Sequence, residues 1–207
     1  MPIDLVELVA PGHTAMLTME MQRGVIGDLA VIRDLAAEVE AGGVIANAAR
    51  LATAARTAGV RVVHCTAEFR PDRAGSAVNA PMLAVMLRGQ GHLEVGSPAA
   101  QVVAALGPDP SDIVSSRRHG VSPFTGTDLD SILRNLGVGT IVATGVSLNL
   151  GVLGLAIEAV NLGYRVAVAT DAVAGVPRDY ARSVMANTVA LLATRVTVDD
   201  LIAAWKA

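Results

Sequence analysis

"TGVSLNLGVLGLAIEAVNLGYRVAVATDAVAG", residues 144 to 175, decides the fold. The β-branched run Thr140 to Thr144 leads into it as a strand, and Gly145 begins a turn. Leu148 to Leu162 then reads as an almost wholly apolar helix, and Val166 to Ala169 as the next strand. Strand, turn, helix and strand in that order form one βαβ unit of a parallel sheet. Many α/β enzymes place a nucleophile at such a turn, yet no Cys, Asp or His stands at its opening.

Working outward, the same alternation runs from end to end. Further strands are read at Ala15 to Met19, Val60 to Cys65, Ile113 to Ser115 and, briefly, Arg195 to Thr197, six in all. Ile32 to Ala58 is helical with a break at Gly42-Gly43, and Asp128 to Leu136 is a helix preceded by a Thr127/Asp130 capping-box pattern. Arg178 to Ala193 is a helix with Pro177 placed for its first position, and Leu201 to Trp205 is the last. "FRPDRAGSAVNA", Phe69 to Ala80, has turn residues without periodicity and is expected to be a lid or subunit-contact loop. The reading is one three-layer α/β/α domain over residues 1 to 207.

Composition narrows the function. The 207 residues are 52% hydrophobic and 17% charged, which excludes disorder and favours a surface covered by other layers or another subunit. With a formal charge of -3, no basic run and five aromatic residues, the chain offers no nucleic-acid surface. The uncharged stretch Asn135 to Ile157 is long enough to span a membrane, but Gly137, Gly139, Gly145, Ser147 and Asn149 break it up. No basic leader precedes Asp4 and Glu7, so a cytoplasmic location without membrane contact is expected. Cys65 is the single cysteine, which excludes an internal disulfide. Fifteen of the sixteen basic residues are Arg and the sixteenth, Lys206, lies next to the C-terminus, so any cationic site group must be Arg or His.

In an open parallel sheet, ligands bind beyond the carboxyl ends of the strands. The segments found there carry a resemblance. "LTMEMQRG" resembles the Asp-Met-Gln segment of the isochorismatase-like hydrolases. "RRHGVSPFTGTDLDSILRNLGV" is similar to their Lys-x-x-x-Ser-x-Phe-x-x-Thr-x-Leu segment, and the stretch from 144 to 175 is similar to their Gly-Val-x-x-Asn-x-Cys turn. The likeness runs from about Ala15 to about Thr197, nearly the whole chain.

The resemblance implies a Rossmann-type sheet of order 3-2-1-4-5-6 and a site where Glu20, Arg118 and the turn from 145 to 151 converge. Amidases of the family use an Asp-Lys-Cys triad. Here Glu20 matches the Asp, Arg118 the Lys and Gly151 the Cys, so the family's thiol mechanism lacks its nucleophile. A branch that cleaves isochorismate manages without the thiol, its acid protonating a vinyl ether. Glu20 is therefore expected as general acid or base, and Arg118 either as clamp for a small anionic substrate or as a salt-bridge partner.

Gln22, Glu68, Phe69, His119, Phe124, Val146 and Ser147 are the expected substrate contacts, with a peptide between Val146 and Ser147 that is often cis in the family. Glu68 stands where the vinyl-ether branch has a Gln. For Gly151 two readings stand, close helix packing, with Gly154 three residues on, or room for a ligand at a helix start. Cys65 is either a small buried hydrophobe or a relocated nucleophile. Nicotinamidase relatives hold a metal through His residues after the second strand; "TAEFRPDRAG" has none, so neither metal nor cofactor is expected. A homo-oligomer, dimer or tetramer, is expected because the apolar helix from 148 to 162 needs cover on more than one side. The competing reading is a degenerate member that binds a small anion or serves in an assembly.

Overall fold

In the computed structural model, which describes residues 4–88 and 92–207, six parallel strands form one sheet of order β3-β2-β1-β4-β5-β6. They are β1 (Thr14–Met19), β2 (Arg61–Ala67), β3 (Ile113–Arg117), β4 (Thr140–Val146), β5 (Arg165–Ala174) and β6 (Thr194–Val196). Helices α1 (Leu5–Leu8), α2 (Arg33–Ala41), α3 (Val44–Ala58), α4 (Pro81–Arg88), α5 (Leu129–Asn135), α6 (Leu153–Asn161), α7 (Arg178–Val184), α8 (Ala190–Leu192) and α9 (Val198–Ala204) complete the chain. Every residue of β1 and β4 is buried, because strands covered on both faces need apolar side chains at both parities.

Two apolar layers follow from the pleat. Met16, Val62, Val142 and Ala167 pack with α2, α3 and α9 on one face. Ala15, Leu17, Met19, Val63, Cys65, Ile141 and Ala143 pack with α5, α6 and α7 on the other. The break expected at Gly42-Gly43 separates α2 from α3, with Gly43 at φ +61. The outer side of α6 is left open by the chain itself, with Ile157, Val160 and Leu162 each exposed. Among the described residues no helix is long and apolar enough to cross a membrane.

Local chemistry moved several boundaries. The Thr127/Asp130 box does not form: Thr127 Oγ1 accepts from the Leu129 amide, while the Asp130 carboxylate takes the Tyr164 hydroxyl at 2.8 Å and the Arg134 guanidinium. A reciprocal box closes instead at Thr197 and Asp200, so the last helix starts at Val198 rather than Leu201. Pro177 is the cap before α7 and not its first residue. β2, β3, β4 and β5 all run beyond the read segments at their carboxyl ends, toward the site.

One buried polar chain ties β1 to β3 under the α3 layer. His64 on β2, 1% exposed, shares a 2.8 Å hydrogen bond between Nδ1 and Thr18 Oγ1 and a 3.1 Å contact between Nε2 and Asp112. Asp112 also accepts from Nε and Nη2 of Arg56 on α3, at 3.0 and 2.7 Å. Burial lowers the His64 pKa from its ordinary 6.5, only partly offset by the Asp112 carboxylate. The unfolded chain therefore takes up this proton first. His64 contributes its full stability above about pH 6.5 and loses it as pH falls below that value. Urea denaturation from pH 7.5 to 5 should show declining stability, with a shallower decline in His64→Gln; equal slopes would remove His64 as the source.

Candidate active site

Three strand ends build the site. Met19, last residue of β1, lies opposite Cys65 on β2 and Gly145 on β4, and the chain then turns at Glu20. Glu20 has φ 50, a left-handed conformation uncommon for a residue with a Cβ, and its amide donates to the Cys65 carbonyl at 2.9 Å. On β4 a Cβ at Gly145 would lie 2.2 Å from the Met19 carbonyl oxygen, and φ is +97, so only glycine lets the strands close here.

The guanidinium that meets Glu20 is Arg117, not Arg118. Arg117 Nη2 donates to Glu20 Oε1, and Nε donates to the Gly120 carbonyl at 3.2 Å. The side chains are 3% and 12% exposed, so this pair sits almost out of water. The expectation at 118 is corrected by strand parity. Ser115 and Arg117 point inward while Val114, Ser116 and Arg118 are exposed, because β3 continues two residues past its read end. Arg118 instead faces Glu68, whose pKa burial raises and Arg118 draws back.

Glu20 and Arg117 line an enclosed cavity of about 60 Å³ together with Ser147 and Gly151. Its other walls are apolar: Val25, Ile32 and Leu35 around the start of α2, Met82 and Met86 on α4, Val121 and Leu150. His92 completes the lining, and burial, then Arg73, lower its pKa from 6.5. Arg117 Nη1 is buried with no hydrogen-bond partner among the described residues. Such an unmet donor costs about 1–3 kcal/mol, more when charged, which marks it as a group waiting for an acceptor.

The other expected contacts are distributed differently. The Val146-Ser147 peptide is cis, and Ser147 lines the cavity. Gln22 is fully buried with both ends of its amide engaged, Nε2 to the Ala67 and Ala100 carbonyls and Oε1 from the Ala67 amide, so it knits strand to loop and leaves nothing for substrate. Phe124 stacks on Tyr164 at 6.0 Å in the α5/α6 layer, and Phe69 packs in the opposite core beneath Arg73. Neither lines the cavity, nor do Glu68, Val146 and the exposed His119. The loop from 69 to 80 is also absent from the lining; the following helix α4, which sequence reading missed, supplies the wall.

Gly151 lines the cavity, and the close neighbours of a Cβ there belong to strand ends rather than to a neighbouring helix. It does so from a π-helical turn, Leu148–Val152, that opens into α6. A Cβ at Gly151 would stand 3.0 Å from the Val146 carbonyl oxygen and 3.1 Å from Met19 Cε. The amides of Leu150 and Val152 both donate to the Ser147 carbonyl, so they are spent within the turn. The cradle expected from this turn is thereby reduced, and Arg117 Nη1 is a buried side-chain donor without a partner among the described residues, available for developing charge. Glu158 of α6 accepts from Ser122 Oγ and from Thr125 Oγ1 at 2.6 Å, holding the loop that carries Val121.

Cys65 is the inert alternative. Its thiol is fully buried, and burial pushes its pKa up to about 12, with Arg117 drawing it down less. Among the described residues no three His, Cys, Asp or Glu side chains gather as a metal site.

An isochorismatase-like α/β sheet with an acid at the end of a central strand, met by a guanidinium from the edge strand β3, defines the class of protein. The isochorismatase domain model matches residues 14–200, and the chain belongs to the isochorismatase family. YecD, an isochorismatase family protein of Escherichia coli O157:H7, is 46% identical over 70 residues, 33% of this chain and only 36% of that relative. The ureidoacrylate amidohydrolase RutB of Pseudomonas syringae pv. syringae is 32% identical over 176 residues, covering 78% of this chain and 71% of RutB. A solved isochorismatase family protein from Burkholderia thailandensis superposes with a TM-score of 0.78 at 29% identity, over 95% of this chain and 97% of its own.

Two outcomes test this geometry. Gly145→Ala should lower unfolding free energy by more than about 2 kcal/mol in urea melts, since the added methyl meets backbone. Iodoacetamide at pH 7.5 should leave the native protein unlabelled at Cys65 while labelling it in denaturant; rapid native labelling would reopen the thiol reading.

Proposed function

We propose that the chain is a small-molecule hydrolase in which Glu20 carries the proton and no thiol takes part. The observation that supports it most is the nearly dry Glu20/Arg117 pair on an enclosed cavity, with Nη1 of Arg117 unmet. Glu20 takes a proton from water as its oxygen adds to the substrate carbon, and returns it to the departing nitrogen or oxygen. Arg117 cannot exchange protons at working pH; it orients Glu20 through Nη2 and meets the substrate's charge-gathering oxygen through Nη1. Among the described residues His92 is the other side chain on this lining able to move a proton. The relatives that carry an assigned activity, such as the RutB amidohydrolase, support cleavage of a C–N bond over a vinyl ether.

A second reading, a binding protein without turnover, is favoured by one observation. Gly151 supplies no nucleophile and Cys65 cannot replace it. Mass-spectrometric screening of small amides, esters and enol ethers separates the two. Glu20→Gln should abolish turnover, by about a hundredfold or more, while its circular dichroism and melting stay native. Undiminished turnover in Glu20→Gln would reject the role, and absence of any turnover by the native protein would favour the binding reading.

A further inference from the structure

We infer that the cavity selects a neutral, short, aliphatic carbonyl compound and rejects carboxylates. The inference rests on the reading of this cavity as the reaction site and names the substrate class that the site takes. The starting point is a charge count. Among the described residues Glu20 and Arg117 cancel each other inside the cavity, and the rest of the described wall is overwhelmingly apolar. A carboxylate entering beside Glu20 would leave one buried negative charge without a counterion, which a dry site penalises heavily. A neutral carbonyl oxygen meets the unmet donor Nη1 of Arg117 without adding charge. Room is short as well: about 60 Å³ corresponds to roughly four to six water-sized positions. A branched four-carbon acyl group fills it, with its methyls toward Ile32, Leu35, Met82 and Met86. An arginine in a family pocket invites the opposite expectation, an anion clamp, but here the protein's own Glu20 is that anion.

The test uses an isosteric pair that the enzyme cannot hydrolyse, 3-methyl-2-butanone and isobutyrate, which differ in charge and hardly in shape. Methyl-13C-methionine NMR locates the binding, because Met82 and Met86 line the cavity. The ketone should shift those two methyl signals and bind at least about tenfold more tightly than isobutyrate. Acetone, which lacks the branched tail, should bind more weakly than the butanone. In Glu20→Gln the preference should reverse, because Arg117 then lacks its counterion and isobutyrate supplies it. Equal or tighter binding of isobutyrate by the native protein overturns the inference, as does a preference unchanged in a folded Glu20→Gln. Should that variant fail to fold, the native comparison alone decides. Ammonia release from isobutyramide is a separate readout. Ketone-selective binding with neither ammonia from isobutyramide nor turnover in the ester and enol-ether screen defeats the hydrolase reading and leaves the ligand class standing, whereas ammonia release with no preference for the ketone defeats the ligand class alone.

Discussion

An ion pair reaching across one strand organises this end of the molecule. Arg117 leaves β3 and Glu20 leaves β1, with β2 between them, so the guanidinium spans the buried end of β2 to reach the carboxylate. Cys65 on β2 is small and lies close to both charged partners, which leaves room for the span. A buried pair of this kind is costly to desolvate and contributes little net stability. Its value to the protein is positional: it fixes the Glu20 carboxylate at a known place and leaves one guanidinium nitrogen without a partner among the described residues.

The same economy explains the positions where the family's thiol chemistry is missing. With Gly at 151, the space where a side chain would start is bounded by Met19 and the Val146 carbonyl, and the cavity is walled by hydrocarbon. Cys65, although it lies between the charged partners in the sheet, is sealed by burial that holds its thiol protonated. The cavity lining among the described residues therefore carries an acid, a guanidinium and an imidazole but no thiol. Close packing of β1 on β4, which only Gly145 permits, sets Glu20 in its left-handed turn and so gives the carboxylate its direction.

Much of this was legible from residues alone, for reasons that differ from element to element. The six strands announce themselves because a sheet covered on both faces demands uninterrupted β-branched and small apolar runs, and helix breaks at Gly42-Gly43 follow from glycine's conformational freedom. Glu20 at the end of β1 was legible because carboxyl ends of parallel strands are where ligands sit. Arg117 was not, although a signal existed: carrying the alternation of β3 two residues further puts Ser115 and Arg117 on one side and Arg118 on the other. Phe69 and Phe124 look like pocket walls by position along the chain, yet aromatic rings serve either core or cavity, and only packing tells which.

Sequence by itself determined the succession of strands and helices, the sheet order through its family likeness, the acid at position 20 and the loss of the thiol at 151, since each is a matter of residue type and local periodicity. Tertiary structure alone decided which arginine meets that acid, that α4 and the start of α2 wall the cavity, and that one guanidinium nitrogen has no acceptor among the described residues. Those facts depend on side chains brought together from remote parts of the chain, and neither periodicity nor motif spacing carries the distance between them.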